Sequence, residues 1–368
     1  MKWTYFLEHL SESPFSSADI GVCGNDLTLA VKDATEPESV SVTKLSHSAL
    51  LNGEQKVEHL RIREGQLVLP LSRLTHVIHV FQISVKTGTK EYQSRVALLP
   101  AADLPEAYIV VGSPRSGTTV VGNMVQQAFQ TKAHGEAHIA ELFNNLVEKS
   151  VDYIDNSKAA NNKGTLVWEM PTVFLKAQLV KQLRDIYVTY YGSDVVIDKT
   201  PGLPMLRALP LLLLAFPQAK VVYCQRRGIE NVASRLRKFP NAKFEVHCKQ
   251  WVQTIKVWER MKTYLSRLTA RNNWWVEIEQ FELATSPERV TKKLGAFLSV
   301  DELAVSRMFE YQDQNSPQIT GGKPSDVTSL DQLDWSSGQK QCFINTCGST
   351  MKQQGYSMDE SYYTTPDK

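Results

Sequence analysis

Hydrophobic and polar positions divide the chain near residue 100. Before it, short β-favouring runs recur at Leu27 to Val31, Val40 to Thr43 and His76 to Val85. The last is followed by Lys86-Thr87-Gly88-Thr89, a turn signal, and then by Glu91 to Leu98, while Gly53 and Gly65 punctuate the middle. These runs predict a small β-rich domain over residues 1–100. Leu99 to Pro105, with its two prolines, reads as a junction. Beyond it, nearly uniform apolar runs alternate with helical stretches. Strands are predicted at Tyr108 to Val111, Val195 to Ile197, Lys220 to Cys224 and Trp274 to Ile278. Helices are predicted at Thr119 to Phe129, Phe174 to Tyr191, Met205 to Ala215, Glu230 to Arg237, Val246 to Arg271 and Glu288 to Leu298, the last opened by Pro287. Apolar strands separated by helices imply an α/β fold with a parallel sheet flanked by helices on both faces, here over residues 101–368.

In such sheets ligands gather at the carboxyl ends of the strands. The first strand of this region runs into Gly112-Ser113-Pro114-Arg115-Ser116-Gly117-Thr118-Thr119 and then a helix. Strand, tight turn and helix N-terminus together aim backbone N–H groups at one point, where the helix dipole favours negative charge. The spacing G-x-x-x-x-G-x-T is P-loop-like, but Thr118 stands where a nucleoside-triphosphatase carries its lysine, and the positive charge sits at Arg115 instead.

Composition adds limits. The 368 residues are 42% hydrophobic and 22% charged, and 41 basic against 39 acidic residues leave a net charge of +2. That balance excludes broad nucleic-acid binding while permitting a local basic pocket. The five cysteines form no C-x-x-C pair, and the N-terminus lacks the apolar core of a signal peptide. The apolar stretch Leu209 to Phe216 is too short to span a bilayer. A cytoplasmic protein with no membrane partner and no metal site is expected.

Other strand ends carry matching chemistry. Asp198-Lys199-Thr200-Pro201 follows the second strand, Arg226-Arg227 follows the third, and Ser234 lies on the next helix. Arg115, Lys199, Arg226 and Arg227 are therefore placed to converge on one strongly anionic ligand. A phosphate site on the loop and another near Arg226 and Ser234 suggest a nucleotide phosphorylated at two separate positions. For any one of these cations a solvated surface position is the plainer reading; their common location after strands is what weighs against it.

The run Pro114 to Thr119 resembles the 5′-phosphosulfate loop of the PAPS-dependent sulfotransferases. Arg226 and Ser234, with Ser234 to Pro240, resemble that family's 3′-phosphate element, and Asp198 to Pro201 is similar to its catalytic-lysine strand end. Pro287-Glu288-Arg289, Lys293 to Leu298, Trp335, Cys347, Met351 and Gly355-Tyr356 resemble later parts of the fold, nearer to the bacterial, tyrosylprotein and carbohydrate branches than to the cytosolic aryl branch. The resemblance covers about residues 105 to 360. It implies that Arg115, Ser116, Gly117, Thr118 and Thr119 hold the 5′-phosphate of PAPS and that Arg226 and Ser234 hold the 3′-phosphate. Lys199 would then stabilise the departing phosphate of the product PAP as sulfuryl transfers in line to a hydroxyl or amine of a small-molecule acceptor.

Such an acceptor needs a base within hydrogen-bond reach. His134-Gly135-Glu136-Ala137-His138 follows the loop helix. A glutamate in a similar Gly-Glu setting is the base of the tyrosylprotein and carbohydrate branches, which implies that role for Glu136. His138 and His134 are rivals, because imidazole titrates near neutral pH unaided. The aryl branch instead has a histidine two residues after the lysine, where this chain has Pro201. Its Arg-Lys-Gly closing element is also absent, with Gly321-Gly322-Lys323-Pro324 as a loose substitute. Trp168, Tyr187, Tyr190 and Tyr191 are candidates for an acceptor wall, though packing is the commoner role for such aromatics. The competing reading is an atypical P-loop kinase or nucleotide-binding protein, which would need the missing loop lysine and a magnesium-binding acid such as Asp198.

Overall fold

A computed structural model describes residues 3–10, 15–23, 26–31, 39–45, 55–56, 61–63, 66–71, 74, 77–87, 89–131, 135–192, 194–269, 271–314 and 327–364. His134 and Gly321 to Pro324 lie outside them. The chain divides into two compact units. One comprises Met1–Pro105, Leu142–Tyr190 and Pro210–Gln218; the other comprises Glu106–Glu141, Tyr191–Leu209 and Ala219–Lys368.

The first unit contains strands β1 (Trp3–His9), β2 (Phe15–Cys23), β3 (Asp26–Val31), β4 (Ser39–Leu45), β5 (Gln55–Lys56), β6 (Arg61–Arg63), β7 (Gln66–Pro70), β8 (His79–Thr87) and β9 (Lys90–Pro100). They form a five-stranded sheet in the order β1-β9-β8-β4-β5 and a four-stranded sheet in the order β2-β3-β7-β6, with antiparallel neighbours. Alternation selects one face of each. Phe81, Ile83 and Val85 of β8 meet Leu27, Leu29, Leu67 and Leu69 of the other sheet in a single buried cluster.

The second unit is built on β10 (Glu106–Gly112), β11 (Val195–Lys199), β12 (Lys220–Gln225) and β13 (Trp275–Glu279). They form a sheet in the order β11-β10-β12-β13, with every neighbouring pair parallel. Along the whole chain the helices are α1 (Thr118–Phe129), α2 (Ile139–Ala159), α3 (Leu166–Glu169), α4 (Thr172–Tyr191), α5 (Leu203–Ala215) and α6 (Gly228–Lys238), of which α3, nearly all of α2 and α4 and the end of α5 fall in the first unit. They continue with α7 (Phe244–Thr269), α8 (Gln280–Thr285), α9 (Pro287–Leu298), α10 (Glu302–Gln314) and α11 (Ser337–Gln353).

Both faces of the parallel sheet are covered, as its continuous apolar runs require. Val222 and Cys224 of β12 join Val110, Ile197 and Ile278 in a core with Val121, Met124 and Val125 of α1 and Leu294 of α9. The intervening Tyr223 points to the other face, where its ring stacks on Trp258 of α7 at 4.4 Å. A further cluster joins α6, α7 and α11 to the C-terminal residues, with Trp251, Phe343, Met351 and Tyr356 all buried. α11 opens with a full capping box between Ser336 and Gln339. Among the described residues no helix is long and apolar enough to cross a membrane.

Candidate active site

The loop after β10 holds its shape through backbone positions that a different sequence would not adopt. A Cβ on Gly112 would lie 2.1 Å from the carbonyl oxygen of Cys224 on the neighbouring strand, so only glycine permits this approach. Arg115 has φ 74° and Gly117 φ 87°, both left-handed, and Gly117 is the residue from which α1 starts. The first turn of α1 has neither an acidic residue nor a side-chain cap, which leaves its positive end to other groups.

Asn231 of α6, fully buried, clamps this loop. Its side-chain amide donates to the carbonyl of Pro114 at 3.1 Å and to Ser116 Oγ at 3.0 Å, and its Oδ1 accepts from Ser113 Oγ at 3.3 Å. Ser116 and Thr118 are buried, whereas Thr119 is exposed. Arg115 Nε donates to Ser234 Oγ at 3.1 Å, and Arg226 Nη1 donates to the Arg115 carbonyl at 3.3 Å. The structure thus brings Arg115 together with Arg226 and Ser234, more than a hundred residues further along the chain. Burial lowers the pKa of Arg226, and burial with the nearby Arg237 does the same to Arg115. Arg226 Nε is buried without a hydrogen-bond partner. A donor left in that state is expensive unless a ligand atom completes it.

A second cluster lies at the end of β11. Lys199, almost buried, runs across α1 at Gly122, where a Cβ would come within 2.7 Å of Lys199 Cγ. Its Nζ reaches Glu136 Oε1 at 3.6 Å. The other Glu136 oxygen, Oε2, meets His138 Nε2 at 3.2 Å, while His138 Nδ1 meets Glu141 Oε2 at 2.9 Å. The hydrogen bond to Glu141 is the main cause that raises the pKa of His138; burial opposes it, and the charge of Glu141 and then Glu136 add to the rise. His138 itself has φ 54° and sits just ahead of α2.

Arg227 departs from expectation. Instead of joining Arg226 on a ligand, its guanidinium is fully buried among internal acceptors. It forks onto Glu230, donates to the carbonyls of Thr328 at 2.8 Å and Asp359 at 2.7 Å, and stacks on Tyr362. Its role is to tie the C-terminal segment to α6. Tyr187 is likewise packed, edge-on to Phe216 at 5.9 Å. Sequence reasoning did not assign Asn231 or Glu141. The signals for them were weak: an asparagine between Arg226 and Ser234, and an acid one helical turn beyond His138.

A family model described as Sulfotransferase family matches residues 108–303, a span that contains the loop, Glu136, Lys199, Arg226 and Ser234. The chain belongs to the sulfotransferase family. Among solved structures it is similar to a sulfotransferase domain from the Synechococcus PCC 7002 olefin synthase, at 17% identity and TM-score 0.42, covering 67% of this chain and 95% of that one. It is also similar to the sulfotransferase STF9 of Mycobacterium avium, at 11% identity and TM-score 0.40, with 68% and 77% covered. The mouse sulfotransferase SULT7A1, solved in complex with PAP, is similar at 14% identity and TM-score 0.36, with 67% and 85% covered. Comparison with curated proteins gives no match. As a sulfotransferase, the chain carries its cationic groups on the loop, β11 and the β12–α6 turn, all at the carboxyl ends of adjacent strands.

Proposed function

We propose that this chain is a PAPS-dependent sulfotransferase that moves the sulfuryl group to a hydroxyl or amine of a small-molecule acceptor by in-line transfer. The observation that carries the reading is the meeting of Lys199 with Glu136 beside a cation-lined loop: a charge stabiliser and a base within 3.6 Å of each other. PAPS, when bound, would supply the sulfuryl group, and its 5′-phosphate would be the leaving group that departs as part of PAP.

The residues present suit that nucleotide. Arg115, Ser116, Gly117, Thr118 and Thr119 are assigned to its 5′-phosphate, with Asn231 holding the loop in shape. Arg226 and Ser234 are assigned to the 3′-phosphate. The unpartnered buried Nε of Arg226 supports this, since an anionic oxygen would complete it. Lys199 is the group that stabilises negative charge on the departing oxygen.

Glu136 is assigned the acceptor proton. His138 has its pKa raised by Glu141 and Glu136, so it holds its own proton to higher pH than an ordinary histidine. Both of its ring nitrogens face carboxylate oxygens, Glu141 Oε2 and Glu136 Oε2, so its better role is to donate to Glu136 Oε2 and orient the other oxygen. Transfer then leaves the acceptor sulfated, PAP as product, and one proton on Glu136 that returns to solvent. We assign catalysis to residues 101–368 and treat residues 1–100 as a separate β-rich domain; every proposed site residue falls in the second compact unit.

The test is PAP release from PAPS in the presence of a panel of small alcohols, phenols and amines. Acceptor-dependent PAP formation without added magnesium is expected. Magnesium-dependent transfer from ATP, with none from PAPS, would replace this reading with a kinase.

A further inference from the structure

Thr200 directly follows the lysine of β11, is fully buried, and is absent from the chemistry described so far. Its hydroxyl spends its hydrogen-bonding capacity on two other elements of the site. It donates its single proton to Asp198 Oδ1 at 2.7 Å. It accepts from the backbone N–H of Ala137 at 3.0 Å and, at the long limit, from that of His138 at 3.5 Å. One donation and two acceptances are all that a hydroxyl offers.

The geometry points to Thr200 as the positioning residue that sets the separation between Glu136 and Lys199. Along the end of β11 successive side chains alternate in direction. Asp198 and Thr200 share one side and bond each other, while Lys199 takes the opposite side and crosses Gly122. The same residue pair therefore fixes the lysine through the chain and the base segment through the hydroxyl. The segment needs such a hold. Glu136 and His138 are exposed, and His138 occupies a left-handed conformation that is uncommon for a non-glycine residue. Asp198, fully buried, fixes the direction of the Thr200 proton and so turns the oxygen's lone pairs towards Ala137 and His138.

This inference rests on the assignment of Glu136 as base, and its test separates the two. Thr200→Val keeps the shape of the side chain and removes both the acceptor for the Ala137 amide and the donor to Asp198; Thr200→Ser keeps the hydroxyl. With Thr200→Val we expect kcat to fall about 10- to 100-fold, the scale on which a small misplacement of a catalytic group acts. The affinity for PAP, measured by calorimetry, should stay unchanged, and Thr200→Ser should recover most of the loss. The amide of Ala137 should be protected from hydrogen exchange in the wild type and in Thr200→Ser, and should exchange freely in Thr200→Val. Equal kcat in wild type and Thr200→Val, or a Thr200→Ser variant as slow as the valine, would overturn the proposal. So would a protected Ala137 amide in Thr200→Val. A wild-type protein that binds no PAP would instead defeat the sulfuryl-transfer reading, leaving the hold on the segment to be read from the exchange rate alone.

Discussion

Lys199 Nζ stands 3.6 Å from Glu136 Oε1, so the strand end that carries the proposed charge stabiliser also faces the proposed base. Each makes a different demand on the transition state. Lys199→Ala should lower kcat by about 10²- to 10³-fold, as removal of a preorganised charge-stabilising group does. Glu136→Gln should lower it by about 10²- to 10⁴-fold through loss of proton transfer. In both variants, PAP affinity should change far less than turnover. A Glu136→Gln enzyme with wild-type kcat would remove the residue from the role of base.

Gly122 separates helix stability from activity. Alanine is worth about 1 kcal/mol more than glycine within a helix. Here its Cβ would meet Lys199 Cγ at 2.7 Å and push the side chain off its course. Gly122→Ala should therefore lose turnover at least tenfold while secondary structure, followed by circular dichroism, stays intact. Full activity would show that the lysine reaches its working position by another path.

Asn231 is the only described side chain seen to bond Ser113, Pro114 and Ser116 together. Asn231→Ala leaves the buried Ser116 hydroxyl without this donor and frees the loop. The expected cost is about 1–2 kcal/mol in PAP binding, or roughly ten-fold in Kd, by calorimetry. Unchanged affinity would mean that the loop needs no clamp.

Glu279 gives the fold a pH dependence. It is buried and accepts hydrogen bonds from Tyr356 and Tyr362, but burial dominates and raises its pKa to about 7. In the unfolded chain it ionises near its ordinary value of 4.5. Between those values the unfolded state gives up its proton while the folded state keeps it, so stability falls as pH rises through this window. The loss is on the order of 3 kcal/mol and is complete above the folded pKa. Glu279→Gln does not titrate. Relative to wild type, its urea midpoint should rise between pH 5 and pH 8; a constant difference would contradict the burial argument.

The parallel sheet was legible because its signal is local. Tyr108 to Val111 and Lys220 to Cys224 are apolar runs that cannot face water on either side, and both lie inside observed strands. α2 was not read. Its exposed Leu142 and Leu146 blur the contrast between its two faces. α10 and α11 also escaped the sequence reading, although the capping box at Ser336 marks the start of α11. In the site, Lys199 and Arg226 stood out because strand ends select for ligand groups. Arg226 and Arg227 are indistinguishable as sequence neighbours, and only the fold shows one facing the loop and the other buried on Glu230. The hydroxyl of Thr200 could not have been assigned from sequence either, since its partners come from a segment that the fold alone brings near.

The loop at Gly112 to Thr119, together with Arg226 and Ser234, is proposed to hold a nucleotide carrying phosphates at both the 3′ and 5′ positions. Calorimetric titration of the full chain with PAP and, separately, with ATP and magnesium tests it most directly. PAP should bind tightly without dependence on magnesium, its affinity should fall at least tenfold in Arg226→Ala, and ATP should bind more weakly. Preferential binding of ATP with magnesium, or PAP affinity indifferent to Arg226, would contradict it.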